Sequence, residues 1–270
     1  MKVSGNIRKM KAQLADLVQY QLPLHDVLEE NHSIPLNELI GQTLRITFEN
    51  AIHCVVTGKK IKKAYGDGMS FDAFMTSPHA SPSIIRPELS RIHEGIALRD
   101  YDWEMENHNQ PHYAYLSNTS GIKIGVTRTT QIPTRWIDQG ATQAVVIAET
   151  PYRQAAGLVE VALKAHLADK TNWQQMLKGE STLLDLLTER SRYSSLLPED
   201  LKQWIKEEAE EIKINYPVIK YPEKVKSVKL DTNPEIEGRL TGIKGQYWIF
   251  DNNTVINIRS HTGYRISLEF

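Results

Sequence analysis

Tyr113-Ala-Tyr-Leu-Ser-Asn-Thr-Ser-Gly-Ile-Lys-Ile-Gly-Val-Thr-Arg128, followed by Pro133-Thr-Arg-Trp136, reads as two strands, a tight turn and a short helix. Tyr113 to Ser117 and Ile122 to Thr127 are strand-length and rich in apolar residues. Asn118-Thr-Ser-Gly121 between them is turn chemistry, and Gly121 suits a position needing φ > 0. Pro133 fits the first turn of a helix, where its missing N–H costs nothing. Gln143 to Ala148 is a short apolar strand. Pro151 then opens a helix expected to reach about Ala168, because Ala155, Leu158, Val159, Ala162, Leu163 and Leu167 recur at helical spacing. The succession predicts a small antiparallel sheet with packed helices.

On the C-terminal side, Leu183 to Ile212 is charged and helical, with an apolar stripe at Leu183, Leu184, Leu186 and Leu187. Pro198-Glu-Asp starts a second helix through Trp204 and Ile205. Val218 to Phe270 breaks into short strands at Val225–Leu230, Leu240–Ile243, Gln246–Phe250, Val255–Ile258 and Tyr264–Leu268, the spacing of a small barrel or sandwich. On the N-terminal side, Thr43 to Phe48 and Ala51 to Val56 read as a hairpin joined through Glu49-Asn50, able to complete that β-rich module by covering its edges. Thr57 to Pro111 has poor periodicity, and Pro78, Pro82 and Pro87 break any helix. An unorganised loop of that length is improbable in a compact domain, so Phe71, Phe74, Ile84, Ile85 and Trp103 are its expected anchors. The fold class is α+β, in segments 1–56, 57–111, 112–213 and 214–270.

With 270 residues, 40% of them hydrophobic, the chain buries a substantial core. A net charge of −1 excludes a molecule that binds nucleic acid by overall charge, so any such binding needs a local patch. Lys59, Lys60, Lys62 and Lys63 form one cluster, and Lys220, Lys224, Lys226 and Lys229 another; each also reads as a solvated face. The single cysteine, Cys54, has no partner within the chain, which points to a reducing compartment. Met1-Lys-Val-Ser-Gly-Asn-Ile-Arg-Lys9 lacks the apolar centre of a signal peptide. No apolar run approaches the ~20 residues that span a bilayer. A cytoplasmic protein without a membrane partner is expected.

Breaking a phosphodiester requires an activated water, cations around the developing charge and usually a metal on a phosphoryl oxygen. Tyr115 can act as, or orient, the base. Lys123 reaches the same face of the hairpin if the turn is tight. Arg135 can grip a phosphate bidentately. Glu160 can hold magnesium or manganese through one carboxylate and several waters. Each also has a structural reading. Tyr115 and Lys123 are ordinary strand residues, Arg135 can pair with Asp138, and Glu160 can pair with Lys164 at i,i+4. Thr127, Arg128 and Trp136 would help position a bound strand, with Tyr113 and Trp136 offering rings to stack on bases, unless Trp136 is buried.

This order of residues resembles the GIY-YIG nuclease superfamily. Tyr115-Leu stands at the first tyrosine, Lys123-Ile-Gly at the second triplet, Arg135 at the arginine and Glu160 at the glutamate, over roughly residues 113 to 168. The resemblance implies Tyr115 as base, Arg135 on phosphate and Glu160 on metal. Lys123 departs from the commonest residue there. Fold alone does not fix activity.

The whole chain is also similar to a bacterial family of unknown function. Gly5-Asn-Ile-Arg-Lys-Met10, Pro133-Thr-Arg-Trp-Ile-Asp-Gln-Gly-Ala141, Gly157-Leu-Val-Glu160, Asp169-Lys-Thr-Asn-Trp173 and Gly242-Ile-Lys-Gly-Gln-Tyr247 carry the match. The resemblance implies a segment of C-x-x-C pairs suited to zinc. Here Cys54 pairs with Thr57, Ser70 with Ala73 and Ala80 with Ser83, while Ser90, Ala97 and His108 stand for further cysteines. Zinc is therefore not expected, and the segment reads as a degenerate zinc finger. The expected function is nucleic-acid binding, DNA or RNA, with possible divalent-metal-dependent phosphodiester cleavage. The alternatives are a non-catalytic RNA or ribonucleoprotein module and a protein adaptor.

Overall fold

The computed structural model describes residues 1–25, 31–167 and 172–270. The chain begins with β1 (Lys2–Ile7), β2 (Lys11–Gln13), β3 (Gln19–His25), β4 (His32–Pro35), β5 (Thr43–His53), β6 (Lys60–Ile61) and α1 (Phe71–Thr76). It continues through α2 (Pro82–Ile85), α3 (Tyr101–His108), β7 (His112–Asn118), β8 (Ile122–Arg128), α4 (Thr134–Asp138), β9 (Gln143–Thr150) and α5 (Arg153–Lys164). Then come α6 (Trp173–Leu177), α7 (Leu186–Ser195), α8 (Glu199–Lys202) and β10 (Ile212–Lys213). The last elements are β11 (Lys226–Val228), β12 (Glu235–Lys244), β13 (Tyr247–Phe250), β14 (Thr254–Asn257) and β15 (Tyr264–Glu269). The architecture is α+β, with one large sheet and one smaller antiparallel sheet. The contacts divide into two compact units, one of residues 1–75, 177–179 and 215–270, the other of residues 76–176 and 180–214.

The first unit is an eleven-stranded sheet whose path runs β11-β14-β13-β12-β5-β15-β1-β3-β2, with β4 on β3 and β6 on β5. β5 lies between β12 and β15, so strands distant in sequence share one hydrogen-bonded layer. Leu44, Ile46, Trp248, Phe250, Ile266 and Leu268 are buried along it.

The hairpin expected at 43–56 is instead one strand of 11 residues, β5. Asn50 adopts φ 54°, a left-handed conformation that asparagine tolerates better than most residues. Across β15 the register passes from Phe48 opposite Ile266 to Ile52 opposite Tyr264. The extra residues on β5 form a bulge, so the polar pair Glu49-Asn50 bends the strand without ending it.

Residues 57–111 are organised, with only some of the expected anchors taking part: Trp103 meets the His79 and His108 rings at 5.0 and 5.1 Å, and Phe74 lies 6.2 Å from the Tyr65 ring. Phe71 and Ile85 are exposed, Ile84 is largely so, and Phe74 and Trp103 are half-buried. Helices of 4 to 6 residues such as α2 and α1 present too little apolar surface to dock by it alone. Hydrogen bonds supply much of the order. In the first unit, Cys54 Sγ accepts from the Ser70 N–H at 3.1 Å. In the second, the fully buried Glu104 carboxylate accepts from the Leu98 N–H at 3.1 Å and the Arg99 N–H at 2.8 Å. The Arg99 guanidinium donates to the Ser77 carbonyl at 2.6 Å. Ser81 and Ser83 share a hydroxyl contact of 3.2 Å, and Ser90 Oγ lies 3.5 Å from His108 Nδ1. Buried polar groups so paired avoid a desolvation cost of about 1–3 kcal/mol each.

The second unit is built on an antiparallel sheet ordered β10-β9-β7-β8. Ala114, Leu116, Ile124, Val145 and Ile147 pack with Val159 and Leu163 of α5 and with Leu186 and Tyr193 of α7. The helix expected to reach Ala168 ends at Lys164. Ala168, together with Asp169, Lys170 and Thr171 quoted above for the family resemblance, lies outside the described residues. The helical reading of Leu183–Ile212 resolves into α7 and α8 with Pro198 at the N-cap of α8, and then the short strand β10. Among the described residues no helix is long and apolar enough to cross a membrane.

Candidate functional site

β7 and β8 pair with Tyr115 opposite Gly125 and Ser117 opposite Lys123. Side chains alternate along a strand, so Tyr113, Tyr115, Lys123 and Thr127 share one face. Tyr115 and Lys123 are diagonal cross-strand neighbours, about 7–8 Å apart at Cα. Gly125 makes room for the tyrosine, because a Cβ there would lie 2.7 Å from the Tyr115 hydroxyl. α4 supplies a neighbour, with the Trp136 ring edge-on to Tyr115 at a centroid distance of 5.9 Å. The Tyr115 hydroxyl donates to Gln139 Oε1 at 3.3 Å.

Arg135 and Glu160 both act on Tyr115, and Arg135 acts on Lys123. Burial pushes the Tyr115 phenol above its ordinary value; Arg135 opposes this by charge and hydrogen bond, while Glu160 adds to it. Tyr115 is therefore a phenol at neutral pH, a proton donor. Burial and the positive charge of Arg135 lower the Lys123 ammonium to about 8. Burial also raises the Glu160 carboxyl, against Lys164, whose Nζ lies 3.3 Å from it, and against Arg153, while Glu88 raises it further. Arg135 thus acts on both Tyr115 and Lys123, and Glu160 acts on Tyr115, while Glu160 also makes the i,i+4 pair with Lys164.

Arg153 joins this group although the sequence reading passed over it. Burial lowers it to about 10, Glu160 opposes the shift, and Arg135 and Arg128 reinforce it. Its guanidinium donates to the Ser83 carbonyl at 2.9 Å and the Ile84 carbonyl at 3.1 Å. A signal did exist. Arg153 is the first residue of α5, where the helix dipole favours an acid and a cation needs another reason to be present. His112 and His108 lie in the same field. Burial and nearby cations lower them to about 4 and about 3, so both are neutral at pH 7.

Of the remaining candidates, Arg128 and Trp136 border this group, and the lysine cluster belongs to the first unit. The Arg128 guanidinium donates to Asn107 Oδ1. Trp136 is buried at 3% exposure, and its indole N–H has no partner among the described residues. Lys59, Lys60, Lys62 and Lys63 are exposed around β6 in the first unit, with Lys63 Nζ 5.3 Å from the centre of the Tyr65 ring. Among the described residues no group of three or more His, Cys, Asp or Glu side chains is placed to hold a metal ion.

Residues 41–266 match the family described as Protein of unknown function (DUF2797). The chain belongs to the DUF2797 family. The matched span contains Tyr115, Lys123, Arg135 and Glu160 together with the Lys59–Lys63 cluster. Comparison with curated proteins and with solved structures gives no match. The chemistry of this DUF2797 chain therefore has to be argued from its own side chains.

Proposed function

We propose that the Tyr115 face of the second unit binds phosphodiester groups of nucleic acid, as a GIY-YIG-like module. The observation that carries this is a partly buried gathering of cations. Arg135 acts on Lys123 and Arg153, Arg128 acts on Arg153, and Glu160 is the carboxylate that opposes the shift at Arg153. Such a group is costly to assemble unless an anion completes it, and a planar guanidinium fits a phosphate bidentately. Arg135 grips the phosphate, and Lys123 adds a charge below about pH 8. The Tyr115 hydroxyl orients the attacking water or a phosphoryl oxygen; as a phenol raised by burial it is a poor base. A magnesium or manganese ion at Glu160 would polarise a phosphoryl oxygen and would turn the binding site into a phosphodiesterase. The exposed lysines at 59, 60, 62 and 63 add a second phosphate-binding surface.

The ion pair between Glu160 and Lys164 favours a second reading, recognition without cleavage. One experiment separates the two. Labelled single- and double-stranded DNA and RNA are bound and incubated with magnesium or manganese, with wild type, Glu160→Ala and Arg135→Gln in parallel. Cutting that vanishes in Glu160→Ala while binding persists supports the nuclease. Binding without cutting, lost in Arg135→Gln, supports recognition alone. Binding untouched by Arg135→Gln would remove the site from either role.

A further inference from the structure

A cavity of about 790 Å³ lies within the second unit, lined in part by Tyr113 of β7 and Trp136 of α4. Tyr113, Ile132 and Trp136 are among its apolar walls, and Glu207, Glu208 and Glu210 form an acidic side. The volume lies within the range of small-ligand sites. Two features mark it as a binding site. The indole N–H of Trp136 is buried and has no partner among the described residues, beneath a ring that lines the cavity. The three glutamates are exposed, so their oxygens are available as acceptors. Lys206, also in the wall, is already engaged, with Glu149 at 2.6 Å and with the Tyr113 ring 5.5 Å away.

The acidic side repels phosphate, yet the cavity shares two elements with the cation group. Arg135 and Trp136 are consecutive on α4. Tyr113 and Tyr115 point the same way from β7, about 7 Å apart along the strand. A nucleotide is polarised in the same manner, with an anionic phosphate at one end and a flat ring carrying N–H donors at the other. We propose that this cavity receives an unpaired nucleobase bearing an exocyclic amino group, while that nucleotide's phosphate lies at Arg135. The base ring packs against Tyr113 and Trp136. Its amino group donates to the Glu208 or Glu210 carboxylate, as cytosine N4 does to glutamate in a groove. The inference rests on the phosphate-binding reading above.

The test compares oligo(dC) with oligo(dT) of equal length by fluorescence anisotropy, because only cytosine carries the amino group. Wild type should bind oligo(dC) about tenfold more tightly, the scale of one good base-edge contact. The exposed double variant Glu208→Gln/Glu210→Gln should bring oligo(dC) down to the oligo(dT) level. Tyr113→Leu should weaken both by several-fold, with thermal melting to confirm folding. Equal affinities that are both abolished by Arg135→Gln would overturn the base cavity and leave the phosphate site standing. No binding of either oligonucleotide would remove the phosphate reading and the cavity with it. Binding of an arginine-rich peptide that depends on Glu208, Glu210 and Tyr113, in place of base discrimination, would assign the cavity to a protein partner and overturn the proposal.

Discussion

The Tyr115 ring lies over the bare face of Gly125, its partner across the β7–β8 ladder. An added Cβ would stand 2.7 Å from the hydroxyl and 2.8 Å from the ring carbon bearing it. Tyr115 is fully buried beside Trp136, so the ring has no free space in which to retreat. Gly125→Ala should cost about 1–3 kcal/mol by overpacking. It should also reduce nucleic-acid binding or cleavage more than Gly121→Ala does, since alanine at Gly121 strains a turn at φ 154° but its Cβ meets nothing within 4 Å among the described residues. Chemical denaturation and binding measured on both variants check this.

Lys123 gives the site a pH dependence. Its ammonium is lowered to about 8, so it is mostly charged at pH 7 and mostly neutral above pH 9. Affinity for a phosphodiester should fall as pH rises through about 8. A bound phosphate favours the charged form and should move the midpoint upward. Lys123→Met should flatten the profile between pH 7 and 9, measured by oligonucleotide binding at constant ionic strength.

Gly157 on α5 touches backbone. A Cβ there would lie 2.3 Å from the Glu88 nitrogen and 2.6 Å from the Pro87 carbonyl carbon. Alanine gains about 1 kcal/mol of helix propensity over glycine. The clash is with main chain, which yields less than a side-chain tip, so the loss should win. Gly157→Ala is expected to lower the melting temperature, and a rise would show that the 87–89 turn swings away freely.

Lys244 on β12 is fully buried, and its Nζ has no hydrogen-bond partner among the described residues. The rings of Tyr216 and Tyr221 lie 5.4 and 5.6 Å away. Burial lowers the ammonium to about 8. Between about pH 8 and about 10.5 the unfolded chain binds more protons than the folded one, so stability rises with pH across that window. Below pH 8 the penalty stands in full, on the order of 3 kcal/mol. Lys244→Met should therefore be more stable at pH 7 and should lose the alkaline rise. Denaturant midpoints of both proteins at pH 7 and pH 10 decide it.

Much of this was legible in the residues, for identifiable reasons. The shared face of Tyr115 and Lys123 follows from a period of two and a short turn. The α+β class follows from helical spacing at Ala155–Leu163 beside strand-length runs at the C-terminus. What stayed hidden depends on distant contacts. Glu49-Asn50 has the composition of a turn, and only the neighbouring β15 makes it a bulge. Arg153 looks like a solvated helix start until the carbonyls of Ser83 and Ile84 reach it. Lys244 sits in an ordinary-looking Ile-Lys-Gly, and its burial requires Tyr216 and Tyr221 to fold over it. Phe71 and Ile85 are hydrophobic yet exposed, because the segment around them is ordered largely through main-chain and serine hydrogen bonds.

The position of β15 between β5 and β1 has a consequence for the nascent chain. Some two hundred residues separate β5 from β15, which at about 5–20 residues per second is roughly 10 to 40 seconds of synthesis. Throughout that interval β1 and β5 lack the strand that joins them, and each offers an open edge to other chains. Residues 76–214 contain the whole of the second unit, while β15 pairs with β1 and β5 of the first. A ribosome-stalled chain ending before Tyr264 should therefore yield a protease-resistant fragment from this middle region while its first 75 residues are digested. Chaperone demand would then concentrate on the earliest part of the polypeptide, the part that waits longest for its partner.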